Sequence, residues 1–235
     1  MQTNRCIGID GCKSGWICVS RVNAAGQLRA QIIDQMENLE FNTYDFIAID
    51  IPIGLPVSGS RACDVGARVI LKPRGCCVFP APIRPLLDAE DYAKACAIKF
   101  AIDGNKISRQ AWGIMPKIAE VDELLQSREE LRTKVIEVHP EVSFCCMNNQ
   151  VPLLLGKKSC EGKLNRLTLI DLYFGAGTIK YLKNSLVGNR GWGDDDLLDA
   201  CAALWTAERI QLGIAQSIPN HWSNDETGIP MRIVY

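Results

Sequence analysis

The sequence predicts an α/β fold: a mixed five-stranded sheet flanked by helices, with a mainly helical insertion after the fourth strand. Three observations carry this. Two short apolar runs, residues 5–10 and 46–50, each end in an aspartate, Asp10 and Asp50. Both continue apolar without a helical period and are followed at once by turn formers, as buried strands are. Strand and turn signals alternate closely before residue 34. Late in the chain, Ala200, Cys201, Ala202, Ala203, Leu204, Trp205, Thr206 and Ala207 form a run of mostly small residues that suits a helix packed closely on a sheet.

Taken in order, the first strand covers residues 7–10. Gly11, Cys12, Lys13, Ser14 and Gly15 make a tight turn into a second strand over 16–21. Ala24, Ala25 and Gly26 open a turn into a third near 28–33. Strands this close in sequence pair as an antiparallel meander. Residues 36–44 are a short helical or irregular crossover. It returns the strand ending at Asp50 parallel to the first and beside it.

The stretch 52–133 reads as an insertion carried by a single domain over 1–235. Pro52, Gly54, Pro56 and Gly59 break the chain after Asp50. A helix is expected over 61–71 with Ser60 as N-cap. Pro73, Gly75, Pro80, Pro82 and Pro85 mark an extended loop. Helices follow near 89–101 and 108–126, the latter kinked or broken at Pro116.

Residues 134–139 are the fifth strand, and Pro140 suits the first position of a helix. Over 163–174, Leu164, Leu167, Ile170 and Leu172 are spaced for one apolar face. The last long helix spans about 195–212, with Asp194 or Asp195 as a possible N-cap. The tail, 229–235, is at most an edge strand, because Pro230 cannot donate to a ladder.

Composition bounds the function. The 235 residues, 47% hydrophobic and 23% charged, suffice for one substantial core. With 26 basic and 27 acidic residues, the net charge of −1 gives no general attraction to nucleic acid, so a polyanion site must be a local basic patch. The eleven cysteines include the adjacent pairs Cys76–Cys77 and Cys145–Cys146 and no C-x-x-C spacing. That argues against a zinc site and a disulfide framework and for cysteine as a small apolar residue in a reducing cytoplasm. No apolar run reaches the roughly 20 residues of a membrane helix.

Ligands of open α/β sheets sit beyond the carboxyl ends of strands, where Asp10 and Asp50 stand. A third acidic cluster, Asp194, Asp195, Asp196 and Asp199, opens the last helix. Asp196 and Asp199 are three apart and share a helical face. Docked on the sheet, that helix would bring carboxylates over Asp10 and Asp50. Converging carboxylates suit magnesium or manganese, which prefer oxygen ligands; two such ions would clamp a phosphoryl group in an in-line displacement. Asp10, Asp50, Asp196 and Asp199 are the candidate metal ligands, with Glu137 a further candidate in the catalytic group. The competing roles are helix capping for Asp195 and an Asx turn for Asp50. His139 either orients a water or caps the core. Lys13, Arg61, Arg68, Arg84, Lys163 and Arg166 are the candidate substrate-binding cations, against the commoner role of a solvated face.

These residues resemble the ribonuclease H-like superfamily. Asp196, Leu197, Leu198, Asp199 and Ala200 are similar to the last acidic helix of RuvC-type Holliday-junction resolvases. More closely, the chain resembles the family of predicted ribonuclease H-fold nucleases called domain of unknown function 429. The resemblance rests on residues 7–16, 49–55, 61–68, 78–82, 137–144 and 195–200, spread over nearly the full length. It implies a ribonuclease H-like fold and, by extension, a metal-dependent nuclease acting on nucleic acid, with a homodimer conceivable. Resolvases often carry glutamate at the second acidic position. Asp50 reaches less far, which leaves room for Glu137. Two other functions stay open: an ATP-dependent phosphotransferase of the actin-like class, and a regulatory module using Arg61, Arg68 and the loop 73–84 as a contact surface.

Overall fold

The computed structural model describes residues 5–22 and 26–235. In chain order it has strands β1 (Cys6–Cys12), β2 (Gly15–Arg21), β3 (Leu28–Ile33) and β4 (Phe46–Asp50), then helices α1 (Ala62–Ile70), α2 (Tyr92–Asp103), α3 (Arg109–Gly113) and α4 (Met115–Ser127). Strand β5 (Val135–Glu137) precedes α5 (Pro140–Met147), α6 (Cys160–Phe174), α7 (Thr178–Ser185) and α8 (Asp194–Gln211). The two-residue strands β6 (Ser217–Ile218) and β7 (Ile233–Val234) close the chain. The expected turn at Ala24 and Ala25 falls outside the described residues.

The chain separates into two compact units. One comprises the chain up to Ile51, Thr133–Gln216 and Val234–Tyr235; the other is Pro52–Arg132 with Ser217–Ile233. The segment expected as an insertion thus makes up most of the second unit. It is joined there by 217–233, a partnership that no local pattern announces. Among the described residues no helix is long and apolar enough to cross a membrane.

The first unit carries the mixed sheet, in the order β3-β2-β1-β4-β5. The meander β1–β2–β3 is antiparallel, and β4 and β5 run parallel to β1. The meander and the place of β4 beside β1 are as expected; β5, three residues long against the six expected, pairs with the far side of β4. Ile7, Ile9, Ile47 and Ile49 are all fully buried, and burying each such side chain contributes about 1.5–3 kcal/mol. Helix α8 lies along β1, β4 and β2, with α5 and α6 packed on it as well. It is therefore buried on all sides from Leu197 to Glu208. Gly8 makes the close approach possible. A Cβ there would lie 2.0 Å from the Leu204 backbone nitrogen and 2.2 Å from the Ala200 carbonyl oxygen.

Several local expectations need correction. Helix α8 starts at Asp194, and its N-cap is Gly193, not an aspartate. The inward face of α6 is Gly162, Arg166 and Ile170; Leu164 and Leu172 face solvent, 58% and 78% exposed. A buried arginine in the middle of the face hid it from a hydrophobicity pattern. The tail contributes only Ile233–Val234, and Val234 makes a single parallel bridge to Val138 just beyond β5.

In the second unit α1 starts at Ala62, one residue later than expected, with Arg61 and not Ser60 at the N-cap. The expected helix over 108–126 is broken into α3 and α4. Pro116 takes the second position of α4, where its missing N–H costs nothing. Helix α2 is capped by Asp91, which accepts from the Lys94 amide at 2.8 Å, and ends at Gly104 in the left-handed region.

Candidate metal centre

Adjacent parallel strands deliver the first two acids. Asp10 and Asp50 are register partners on β1 and β4. Helix α8, lying across both strands, brings Asp199 to them. One carboxylate oxygen from each of Asp10, Asp50 and Asp199 lies within 4.8 Å of the other two. Asp199 is 2% exposed and Asp10 8%.

Like charges this close, away from water, resist ionisation. Burial first, then the Asp50 and Asp199 carboxylates, hold Asp10 well above the ordinary carboxylate range. Burial and Asp199, with smaller contributions from Glu137 and Glu141, do the same to Asp50. Burial pushes Asp199 up to about 6, against the pull of Lys157.

The polar partners of the cluster are few. Asp10 Oδ1 accepts from the Gly11 amide at 2.7 Å. The Lys157 ammonium donates to Asp199 Oδ2. Burial works against that charge, but the Asp199, Asp50 and Asp10 carboxylates outweigh it and hold the ammonium above its ordinary value. Asp199 Oδ1 is buried and accepts no hydrogen bond. A buried carboxylate oxygen left so costs desolvation free energy that only a cation or donor can offset.

These residues fit a hard cation. All three donors are carboxylate oxygens, and one is unsatisfied. Their spacing approaches the roughly 4 Å across one ion with metal–oxygen distances of about 2.1 Å. Among the described residues this is the one group of three or more His, Cys, Asp or Glu side chains placed to share an ion. The eleven cysteines are free thiols. Burial pushes Cys6 and Cys18 up to about 12, as expected of cysteines used as apolar residues.

The remaining acids divide. Glu137 ends β5, buried, beside Asp50 in its electrostatic effect. Asp196, expected as a ligand, lies outside the trio. Its Oδ2 accepts from the Gly193 amide at 2.8 Å and so closes the start of α8. Three residues into a helix, a carboxylate reaches back to the unpaired amides more readily than outward.

Of the expected substrate-binding cations, most are committed to internal partners. Arg166 is fully buried; its guanidinium grips Glu141, with Nη2 2.6 Å from each carboxylate oxygen, and donates to the Leu155 carbonyl at 3.1 Å. Lys163 pairs with Asp194 at 2.6 Å. In the second unit Arg61, 3% exposed, pairs with Asp64 at 2.5 Å, and Arg84 with Asp122 at 2.8 Å and Asp225 at 2.5 Å. Arg68 donates to the Val78 carbonyl at 3.1 Å and lines, with Lys72, Val65 and Pro73, a cavity of about 500 Å³. Lys13 is exposed in the turn after β1. Internal pairing thus replaces the expected substrate contact for Arg61, Arg84 and Arg166. Burying a guanidinium demands a carboxylate; Arg61 and Arg166 each pair with one and Arg84 with two.

Sequence reasoning did not attach Lys157 to the acids. Its only signal was membership of a basic run with Lys158.

Residues 8–223 match the family described as "Protein of unknown function (DUF429)". The chain belongs to that family. The match covers β1 through α8 and so all three acids of the cluster. No curated protein and no solved structure matches the chain.

Proposed function

We propose that this DUF429 chain is a metal-dependent nuclease of ribonuclease H-like fold that hydrolyses phosphodiesters in nucleic acid with Mg²⁺ or Mn²⁺. The observation that carries the reading is the unsatisfied, buried Asp199 Oδ1, which stands with the Asp10 and Asp50 carboxylates at the ends of two parallel strands. A cation bound there would lower the pKa of its water and draw charge from a phosphoryl oxygen. The chain supplies the rest. Asp10, Asp50 and Asp199 hold the ion. The packing of α8 on β1 keeps Asp199 in place without help from the substrate. Glu137 adds negative charge beside Asp50. Lys13, exposed in the turn after Asp10, is the candidate contact for a phosphate of the nucleic acid.

The test is cleavage of single-stranded, duplex and branched DNA and RNA by the full chain with Mn²⁺ or Mg²⁺. Cation-dependent cleavage is expected, falling by more than about 100-fold in Asp10→Asn and Asp199→Asn. Cleavage that persists in both variants overturns the reading. So does a chain that cleaves nothing in the panel but binds ATP without nucleic acid, which favours a phosphotransferase. The regulatory alternative loses support because Arg61, part of its contact surface, is buried.

A further inference from the structure

Lys157 is held at the acids by construction. It lies on the connection between α5 and α6, and the backbone on both sides of it is tied down. Arg166 donates to the Leu155 carbonyl at 3.1 Å. The Ser159 amide and hydroxyl both donate to the Gly156 carbonyl, at 3.0 and 2.9 Å. Arg166 is in turn fixed by Glu141. A fixed backbone thus presents a flexible side chain whose ammonium lies on Asp199 Oδ2, while Oδ1 is buried without a hydrogen-bond partner.

The donors can then be counted. Two ions about 3.5–4 Å apart are commonly bridged by the two oxygens of one carboxylate, with terminal ligands on each side. Asp196 lies outside the trio, with Oδ2 accepting from the Gly193 amide. Glu141 is spent on Arg166. Asp199 has Oδ2 on Lys157 and Oδ1 without a hydrogen-bond partner. Glu137, buried at the end of β5, adds its charge beside Asp50, and the carboxylates of Asp10, Asp50 and Asp199 bring one oxygen each within 4.8 Å of one another. That set suits a single ion.

We propose that Lys157 takes the place of a second cation, so that the site holds one divalent ion beside a lysine and not two ions. This rests on the metal-site reading above. It assigns Lys157 a positioning role: the ammonium fixes the orientation of the Asp199 carboxylate and reserves Oδ1 for the ion.

The experiment is manganese titration of the full chain by calorimetry, with electron paramagnetic resonance on the saturated protein. The chains compared are the wild type, Lys157→Met and Lys157→Arg. We expect one Mn²⁺ with an isolated-ion spectrum in the wild type and in Lys157→Arg. We expect a second ion, spin-coupled to the first, in Lys157→Met. Lys157→Gln replaces that variant if it does not fold. Two ions in the wild type, or one in both the wild type and the neutral variant, overturns the proposal. No saturable binding to any of these chains overturns the metal reading and this proposal with it. Binding with the expected ion counts but no cleavage of nucleic acid removes the nuclease reading alone.

Discussion

Gly8 and Leu204 are in backbone contact: any β-carbon on Gly8 would sit 2.0 Å from the Leu204 nitrogen. The obstruction is main chain on both sides, so no rotamer change relieves it. Gly8→Ala is expected to push α8 off β1. Overpacking of this kind costs about 3 kcal/mol, or a fall in Tm of roughly 6–12 °C for a chain of this size. Thermal unfolding with and without Mn²⁺ checks it. Because Asp199 rides on α8, stabilisation by manganese should shrink as well. An unchanged Tm would mean that the helix stands further from the strand.

The acids make the metal-free protein sensitive to pH in a defined direction. The folded pKa of Asp199 is about 6, above the ordinary carboxylate value, and Asp10 and Asp50 are shifted the same way. The folded state therefore holds more protons than the unfolded state between about pH 4 and 6. Stability contributed by these groups falls as pH rises through that window. In chelator, Asp10→Asn should flatten the fall and raise Tm at pH 8 by roughly 5 °C. On the proposed metal site, it should also lose the stabilisation expected from Mn²⁺ in the wild type. Thermal melts from pH 5 to 8 read both effects. A lower Tm for Asp10→Asn in chelator at pH 8 would show that the acids do not repel one another.

Arg166 has no route to solvent, so its carboxylate partner matters more than a surface ion pair would. Glu141→Gln leaves a buried guanidinium short of one negative charge, and the expected loss is about 3–5 kcal/mol by chemical denaturation. A loss below about 1 kcal/mol would place Arg166 nearer water than its burial indicates.

The thiols can be counted by a reagent such as dithionitrobenzoate. Cys76 and Cys160 are exposed, Cys77 and Cys146 half-buried, and the other seven buried. Two should react fast, two slowly, and seven only on unfolding. Rapid reaction of Cys6, Cys18 or Cys201 would contradict their packing in the sheet and under α8.

The first four strands and their order were legible in the sequence because they rest on local signals. Apolar runs end at Asp10 and Asp50, and the meander has turns too short for any crossover. Asp199 was legible by its spacing in a helix with a small-residue face. Asp196 was not separable from it, because two acids three residues apart read alike. Which one turns back to its own helix start depends on the Gly193 amide. Arg61, Arg84 and Arg166 looked like substrate contacts because their carboxylates are distant or unremarkable in sequence. Asp122 and Asp225 carry no motif, and Glu141 reads as an ordinary acid in a first helical turn. Lys157 was hidden for a similar reason. Its position depends on how Leu155 and Gly156 are held, which is tertiary information.

The packing of α8 on β1 also sets an order of events. Asp10 and Asp50 belong to strands made early in the chain, whereas Asp199 belongs to the last long helix. Closing such a distant contact is entropically slow. On the ribosome, a chain that has completed the sheet but not α8 carries two acids with no third and no Lys157 pairing. A chain interrupted before α8 therefore has no means of bringing the three carboxylates together.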